Sequence, residues 1–289
     1  MITLTVINNK GGVGKSFLST QFAFYCALKR GLRTLFIDLD PQAHSSNCLF
    51  DSKLFEPANV SSGLLMQQGG LRTTGAARLL VRADTNLEEL ERSGEEAHNG
   101  FVENLLNSLN EIQDDFDICI IDTNPSYDIR QIAALLAATH YVCPVNLKQE
   151  ALEGVEMLLG RAQEVSTINE KLQFAGLVLN MVERKPYQIE NFKQLWVLAK
   201  DLILKQENGL KPAWILNRNE YAAAQGQHRP VWVSKNSKPG EAWYELRTVF
   251  LNLAAALNLP ENTLIVSIKR GEDSIVTILF VWFGTRTEV

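Results

Sequence analysis

Four cysteines occur in 289 residues, Cys26, Cys48, Cys119 and Cys143, and no two are spaced as Cys-x-x-Cys. That absence argues against a metal knuckle or a dithiol redox motif, and it suits small buried hydrophobes in a reducing cytosol. The four histidines, His44, His98, His140 and His228, are just as scattered and show no ligand spacing. Long apolar runs are missing too. The longest, Ile275 to Phe283, is far too short to span a bilayer as a helix. The first strand-like run begins at once, so no signal peptide is expected. The chain has no internal repeat, no low-complexity tract and no helix-turn-helix ahead of its first motif. Its net charge of −5 excludes wholesale basicity.

The charge is uneven. Residues 1–180 hold 14 Lys and Arg against 22 Asp and Glu, a net of −8, whereas residues 181–250 hold 11 against 7, a net of +4. A locally basic segment on an acidic protein is a candidate anion-binding face, although a solvated helical surface gives the same count. The composition, 46% hydrophobic and 21% charged, is that of a globular protein large enough to bury a substantial core.

Apolar strand-like runs alternate with helical periodicity from end to end. Strands are expected at Ile2–Ile7, Thr34–Ile37, Leu79–Val81, Ile118–Ile121, Tyr141–Val145, Phe174–Leu179 and Ala213–Leu216. Helices are expected at Phe17–Lys29, Val102–Ile112, Ile129–Ala138, Ala151–Ser166, Ile189–Lys205 and Ala242–Leu257. Val- and Ile-rich strands separated by helices imply an α/β fold, a mostly parallel twisted sheet flanked by helices. Residues 61–100, rich in glycine, read mostly as mobile surface connection. A single domain is expected over residues 1–257. The extension 258–289 carries two β-branched and aromatic runs, Leu264–Ile268 and Ile275–Phe283, around Lys269-Arg270-Gly271-Glu272-Asp273, which read as a β-hairpin.

Ligands of such sheets sit at the carboxyl ends of the strands, and three motifs lie there. The first is Asn9-Lys10-Gly11-Gly12-Val13-Gly14-Lys15-Ser16, between the first strand and the first helix. Successive backbone N–H groups in such a turn make an anion-binding concavity, and the helix adds the positive end of its dipole. Lys15 can reach outer phosphates and the Ser16 hydroxyl can ligate Mg²⁺. Asn9 replaces the usual first glycine, and Lys10 is a second lysine beside the site. The second motif, Asp38-Leu39-Asp40-Pro41-Gln42, places two carboxylates on one side of a strand end, where Mg²⁺ is a natural counter-charge and a carboxylate can orient an attacking water. The third, Ile121-Asp122-Thr123-Asn124-Pro125-Ser126, has the form of a Walker B carboxylate.

Together the motifs resemble those of the ParA-type partition ATPases, the deviant Walker A group that also includes MinD. Pro144-Val145, Ala151-Leu152-Glu153-Gly154 and Leu216-Asn217-Arg218 fit as well, and the similarity runs over roughly residues 1–257. The resemblance implies ATP and Mg²⁺ as ligands, with Gly11, Gly12, Val13, Gly14, Lys15, Ser16 and Phe17 around the nucleotide. It makes Lys15 the phosphate lysine and Lys10 a residue that reaches the partner's nucleotide in an ATP-sandwiched homodimer. Asp40 would position the attacking water, and Ser16, Asp38 and Asp122 would serve the metal. Two residues depart from the family. Asn124 stands in place of a usual proline. Phe17 stands where relatives carry Thr and cannot donate a side-chain hydrogen bond to the α-phosphate, so weaker nucleotide binding is expected.

The resemblance further implies a cytoplasmic, nucleoid-associated protein that hydrolyses ATP slowly and binds DNA non-specifically as an ATP dimer. The basic candidates for that contact are Arg184, Lys185, Lys193, Lys200, Lys205, Lys211, Arg218, Arg229, Lys235, Lys238 and Arg247. The cargo would be a plasmid or chromosome region through a ParB-like adaptor, or a microcompartment such as the carboxysome through a McdB-like one. A MinD-like membrane role is disfavoured, because the tail lacks a cationic amphipathic helix. A redox ATPase on the same fold is disfavoured too, because Cys119 and Cys143 are poorly placed to share a cluster between subunits.

Overall fold

Seven apolar runs and the exposed pair Glu56–Pro57 build the eight strands of the main sheet, β1 (Ile2–Val6), β2 (Thr34–Asp38), β3 (Glu56–Pro57), β4 (Arg78–Val81), β5 (Ile118–Asp122), β6 (His140–Val145), β7 (Gln173–Val182) and β8 (Trp214–Leu216). They form one sheet in the order β3-β4-β2-β5-β1-β6-β7-β8, and each neighbouring pair is parallel. This computed structural model describes residues 1–148, 151–206, 209–233, 240–260, 264–269 and 275–280.

Among the described residues ten α-helices accompany the strands: α1 (Lys15–Phe24), α2 (His44–Asp51), α3 (Ser62–Gln68), α4 (Asn86–Leu90), α5 (Glu95–Glu111), α6 (Ile129–Ala137), α7 (Ala151–Ser166), α8 (Pro186–Ala199), α9 (Asn219–Gly226) and α10 (Glu241–Ala256). All five residues of β2 and of β5 are buried, as expected of strands covered on both faces. The strand period of two divides them. Leu35 and Ile37 of β2 and Cys119 and Ile121 of β5 join Leu65, Leu105 and Ala133 from α3, α5 and α6 in one apolar cluster. A second cluster joins Tyr141, Cys143 and Val145 of β6 to Leu177 and Leu179 of β7, Val155 and Leu158 of α7, and Leu195 of α8. Each Leu, Ile or Val side chain among these contributes about 1.5–3 kcal/mol on full burial. Phe22 of α1 meets Phe250 of α10 with ring centroids 5.2 Å apart.

Three expectations change. Apart from the strand expected at Leu79–Val81, which is β4, residues 61–100 are not a surface connection: they form α3, α4 and the start of α5, and Leu65, Met66, Leu71, Leu87 and Leu90 are buried. The helix expected to run to Lys205 ends at Ala199. Beyond it the chain turns to run beside β7, with Leu177 N–H donating to Leu202 O at 2.7 Å and Leu204 N–H to Leu177 O at 3.0 Å. Pairing with the strand outweighs continued helical periodicity, and Gly176 (φ +133°) makes room, since a Cβ there would stand 2.6 Å from Leu204. The first helix changes pitch near its end, continuing from α1 as a π-helical turn over Tyr25–Lys29.

By contact the chain divides into two units, Met1–Leu257 and Asn258–Val289. In the second, β9 (Leu264–Lys269) and β10 (Ile275–Phe280) pair antiparallel, from Leu264↔Phe280 to Lys269↔Ile275. Residues 281–283 of the expected second hairpin strand lie outside the described residues. Among the described residues no helix is long and apolar enough to cross a membrane.

Candidate nucleotide-binding site

β1 is central, flanked by β5 and β6, so the loop that leaves it opens at the carboxyl edge of the sheet's middle. Asn8 shapes the start of that loop. Its Nδ2 donates to Pro144 O at 2.8 Å, and its Oδ1 accepts the Lys10 N–H at 2.8 Å. Gly12 (φ +70°) and Gly14 (φ +88°) take left-handed conformations that L side chains rarely adopt. Gly14 is also crowded, because a Cβ there would stand 2.1 Å from the Asn180 side chain. Asn180 is clamped to the loop by its Nδ2, which donates to Val13 O at 2.7 Å. A register shift in β7 between Leu179 and Val182, with Met181 at φ +55°, accompanies this placement.

Lys15 is buried, and its Nζ donates to Asn8 O at 3.0 Å and Lys10 O at 3.2 Å. Burial pulls its pKa down, opposed by the charges of Asp122 and Asp40. The ammonium group is thus held by loop carbonyls at the mouth of a cavity of about 610 Å³. Gly11, Gly12, Gly14, Lys15, Ser16 and Phe17 line one side of it, and Asp40, Gln42 and His44 contribute another. The Phe17 ring packs on Tyr221 with centroids 5.2 Å apart, so this departure from the family pattern serves as wall.

Asp38 and Asp122 are register partners across β2 and β5, both fully buried. Asp38 Oδ2 accepts from Ser46 N–H and from Ser46 Oγ, each at 2.7 Å, and Oδ1 accepts the Asp40 N–H at 3.1 Å. Asp122 Oδ2 accepts from Ser45 Oγ at 2.6 Å. Burial raises the pKa of both. Repulsion from Asp122 adds to the rise at Asp38, while the Ser45 and Ser16 hydroxyls and Lys15 oppose it at Asp122. Asp40 Oδ1 accepts the Gln42 N–H at 3.0 Å. The serines of the first turn of α2 therefore fix both buried aspartates. Nothing in the sequence marked Ser45 and Ser46 except their place just after the Asp38–Gln42 motif.

The residues fit a divalent cation held jointly with phosphate oxygens. Asp122 Oδ1 is buried with no hydrogen-bond partner among the described residues, and the charges of two carboxylates, Asp122 and Asp40, act on the Lys15 ammonium group. No three His, Cys, Asp or Glu side chains converge on a preformed metal site among the described residues.

Lys10 meets Lys15 through its backbone carbonyl. Its side chain lies along Gly154 in the first turns of α7 of the same chain. Asn124 donates from Nδ2 to Asp128 Oδ2 at 2.7 Å, and Asp128 caps α6 and pairs with buried Arg130. The basic segment is partly neutralised. Lys185 pairs with Glu183, Lys193 with Glu190, Lys205 with Asp201, and Arg218 with Glu241 and Glu245. Lys235 and Lys238 lie outside the described residues.

A strand–loop–helix phosphate cradle on a parallel sheet, with acidic strand ends beside it, defines a P-loop nucleotide-binding protein. The AAA domain family matches residues 1–174. The chain belongs to that family and, within it, to the ParA-type partition ATPases. It is similar to the protein IncC of Escherichia coli, 31% identical over 211 residues, which cover 71% of this chain and 57% of IncC. The chain thus matches little more than half the length of that relative. It is also similar to the chromosome-partitioning ATPase Soj of Treponema pallidum, 29% identical over 63% of this chain and 72% of Soj. Among solved structures, apo McdA of Cyanothece superposes with a TM-score of 0.67 at 20% identity, covering 89% of this chain and 99% of McdA. That likeness shows the shared fold.

Proposed function

We propose that this chain is a magnesium-dependent ATPase that dimerises on ATP, binds DNA non-specifically and moves a cargo under the control of an adaptor protein. The two lysines of one phosphate loop carry the reading. Lys15 is held by loop carbonyls beside Asp40 and Asp122, as needed to meet the phosphates of its own nucleotide. Lys10, whose side chain lies along Gly154 of its own chain, is assigned by the motif to a partner's nucleotide. Asp40, at the cavity wall, orients the attacking water and accepts its proton. Ser16, Asp38 and Asp122 serve the cation: Ser16 and Asp122 face it, and Asp38 holds the acidic strand end to α2. When bound, Mg²⁺ neutralises charge on the outer phosphates. Turnover is slow until an adaptor completes the charge stabilisation.

Two ATP-bound copies double whatever basic surface one copy presents, and sequence-independent DNA binding needs only phosphate neutralisation. Arg184, Lys200 and Lys211 are the exposed candidates left after the ion pairs above. Binding is expected to weaken steeply with salt, and the ATP-loaded protein is expected to sit on the nucleoid. A centromere-binding adaptor would make the cargo a plasmid or chromosome region.

The test is a set of three variants. Lys15→Ala is expected to abolish nucleotide binding by calorimetry. Lys10→Ala is expected to keep binding and lose the ATP-dependent dimer. Asp40→Ala is expected to accumulate an ATP dimer while turnover falls about hundredfold, and unchanged turnover would remove Asp40 from its role.

A further inference from the structure

Lys10 crosses the backbone of α7 at Gly154. A Cβ built on Gly154 would stand 3.2 Å from Lys10 Cε, 3.7 Å from Cδ and 3.9 Å from Nζ. Glycine is a poor helix former, so its presence in the fourth position of α7 needs a reason. The other glycine of this helix, Gly160, would have nothing within 4 Å of the same added carbon, so close approach is particular to Gly154. Seven residues on, at a spacing that returns to the same helix face, the Arg161 guanidinium lies 4.0 Å from the Tyr127 ring centroid. Tyr127 belongs to the loop after Asp122. One face of α7 thus touches the loops that leave both β1 and β5.

We propose that Gly154 is a positioning residue, a berth that holds Lys10 against its own chain until ATP draws it to a partner. The proposal rests on the reading of Lys10 as the residue that acts in trans. A lysine lodged along its own α7 is not available to a second subunit, so berth and crossing compete for the same side chain. Whatever stabilises the lodged state lowers the apparent affinity of the ATP dimer. A side chain at position 154 crowds Lys10 and shifts the balance toward crossing.

Amine reactivity reads the berth without reference to the dimer. In nucleotide-free protein, the rate of reductive methylation at Lys10, followed by peptide mass spectrometry, is expected to rise about fivefold in Gly154→Ala, the size of effect that forcing a side chain off its rotamer produces. Gly154→Val is expected to exceed it. Gly154→Ala introduces a better helix former, so an unchanged rate in that variant cannot be laid to unfolding and overturns the berth. Sedimentation with Mg²⁺ and a non-hydrolysable ATP analogue is expected to show an about fivefold tighter dimer for Gly154→Ala, and no such gain when Lys10→Ala is also present. A gain that persists without Lys10 comes from helix stability alone and overturns the proposal. If Lys10→Ala by itself leaves the ATP dimer intact, the trans reading of Lys10 falls, and the methylation rates still decide the berth.

Discussion

Asp38 and Asp122 sit side by side on adjoining strands, and each is tethered by a different serine of one helix turn, Ser46 and Ser45. Two buried carboxylates in neighbouring positions are unfavourable unless donors and a cation face them. Ser46 carries more of this than Ser45. Its hydroxyl donates to Asp38, and its oxygen also accepts the Ala83 N–H at 2.8 Å. Ser46→Ala is therefore expected to lower unfolding stability by about 2–3 kcal/mol in urea denaturation, and Ser45→Ala by about 1–2 kcal/mol, since only the bond to Asp122 is lost.

The glycines of the loop are not equivalent. Gly14→Ala combines a left-handed backbone with a Cβ that would strike Asn180, whereas an added Cβ at Gly11 would have nothing within 4 Å. Thermal denaturation of nucleotide-free protein is expected to show a loss of at least about 2 kcal/mol for Gly14→Ala and little change for Gly11→Ala. Equal losses would contradict the crowding.

Asp128 has three duties. It accepts the Arg130 N–H at the start of α6, pairs with the Arg130 guanidinium and accepts from Asn124. Removing it leaves a buried cation unpaired, so Asp128→Ala is expected to cost on the order of 3–5 kcal/mol. Asn124→Ala is milder, about 1 kcal/mol, because it also removes an Oδ1 that has no hydrogen-bond partner among the described residues. Urea midpoints at constant slope measure both.

His140 opens β6 with Nδ1 2.9 Å from Thr139 Oγ1, and burial pulls its pKa below the ordinary 6.5. The folded chain therefore keeps the ring neutral at a pH where the unfolded chain has begun to protonate it. The resulting stability is present above about pH 6.5 and is lost as pH falls toward the folded-state pKa. Asp38 and Asp122, which burial holds above the ordinary carboxylate range, act in the opposite sense, so the share of His140 is read as a difference: the unfolding free energy of the parent minus that of His140→Gln, from urea denaturation, is expected to fall between pH 7 and pH 5.

The sheet was legible because its strands are apolar on both faces. β1, β2, β5 and β6 begin and end within a residue of the apolar runs. The same rule failed where elements are polar or short. α2 reads His-Ser-Ser-Asn, yet Ser45 and Ser46 are fully buried by the aspartates they hold, and no periodicity reports a side chain buried for its hydroxyl. Apart from the strand at Leu79–Val81, residues 61–100 looked irregular because their glycines masked Leu65, Met66, Leu87 and Leu90, which are buried through partners distant in sequence. The chain positions of Lys10, Lys15, Ser16, Asp38, Asp40 and Asp122 could be read from motifs. The clamp of Asn180 on Val13 and the passage of Lys10 over Gly154 could not, since both join segments more than a hundred residues apart.

The sheet's borders are meagre. One outermost strand has two residues, Glu56 and Pro57, and the other has three, Trp214 to Leu216. Short borders, one of them with an acid and an imino residue, offer few unpaired amides to a passing chain. Self-association that prolongs this eight-stranded sheet is thereby discouraged, which leaves its carboxyl edge, where the phosphate loop opens, free of competition from strand-to-strand growth.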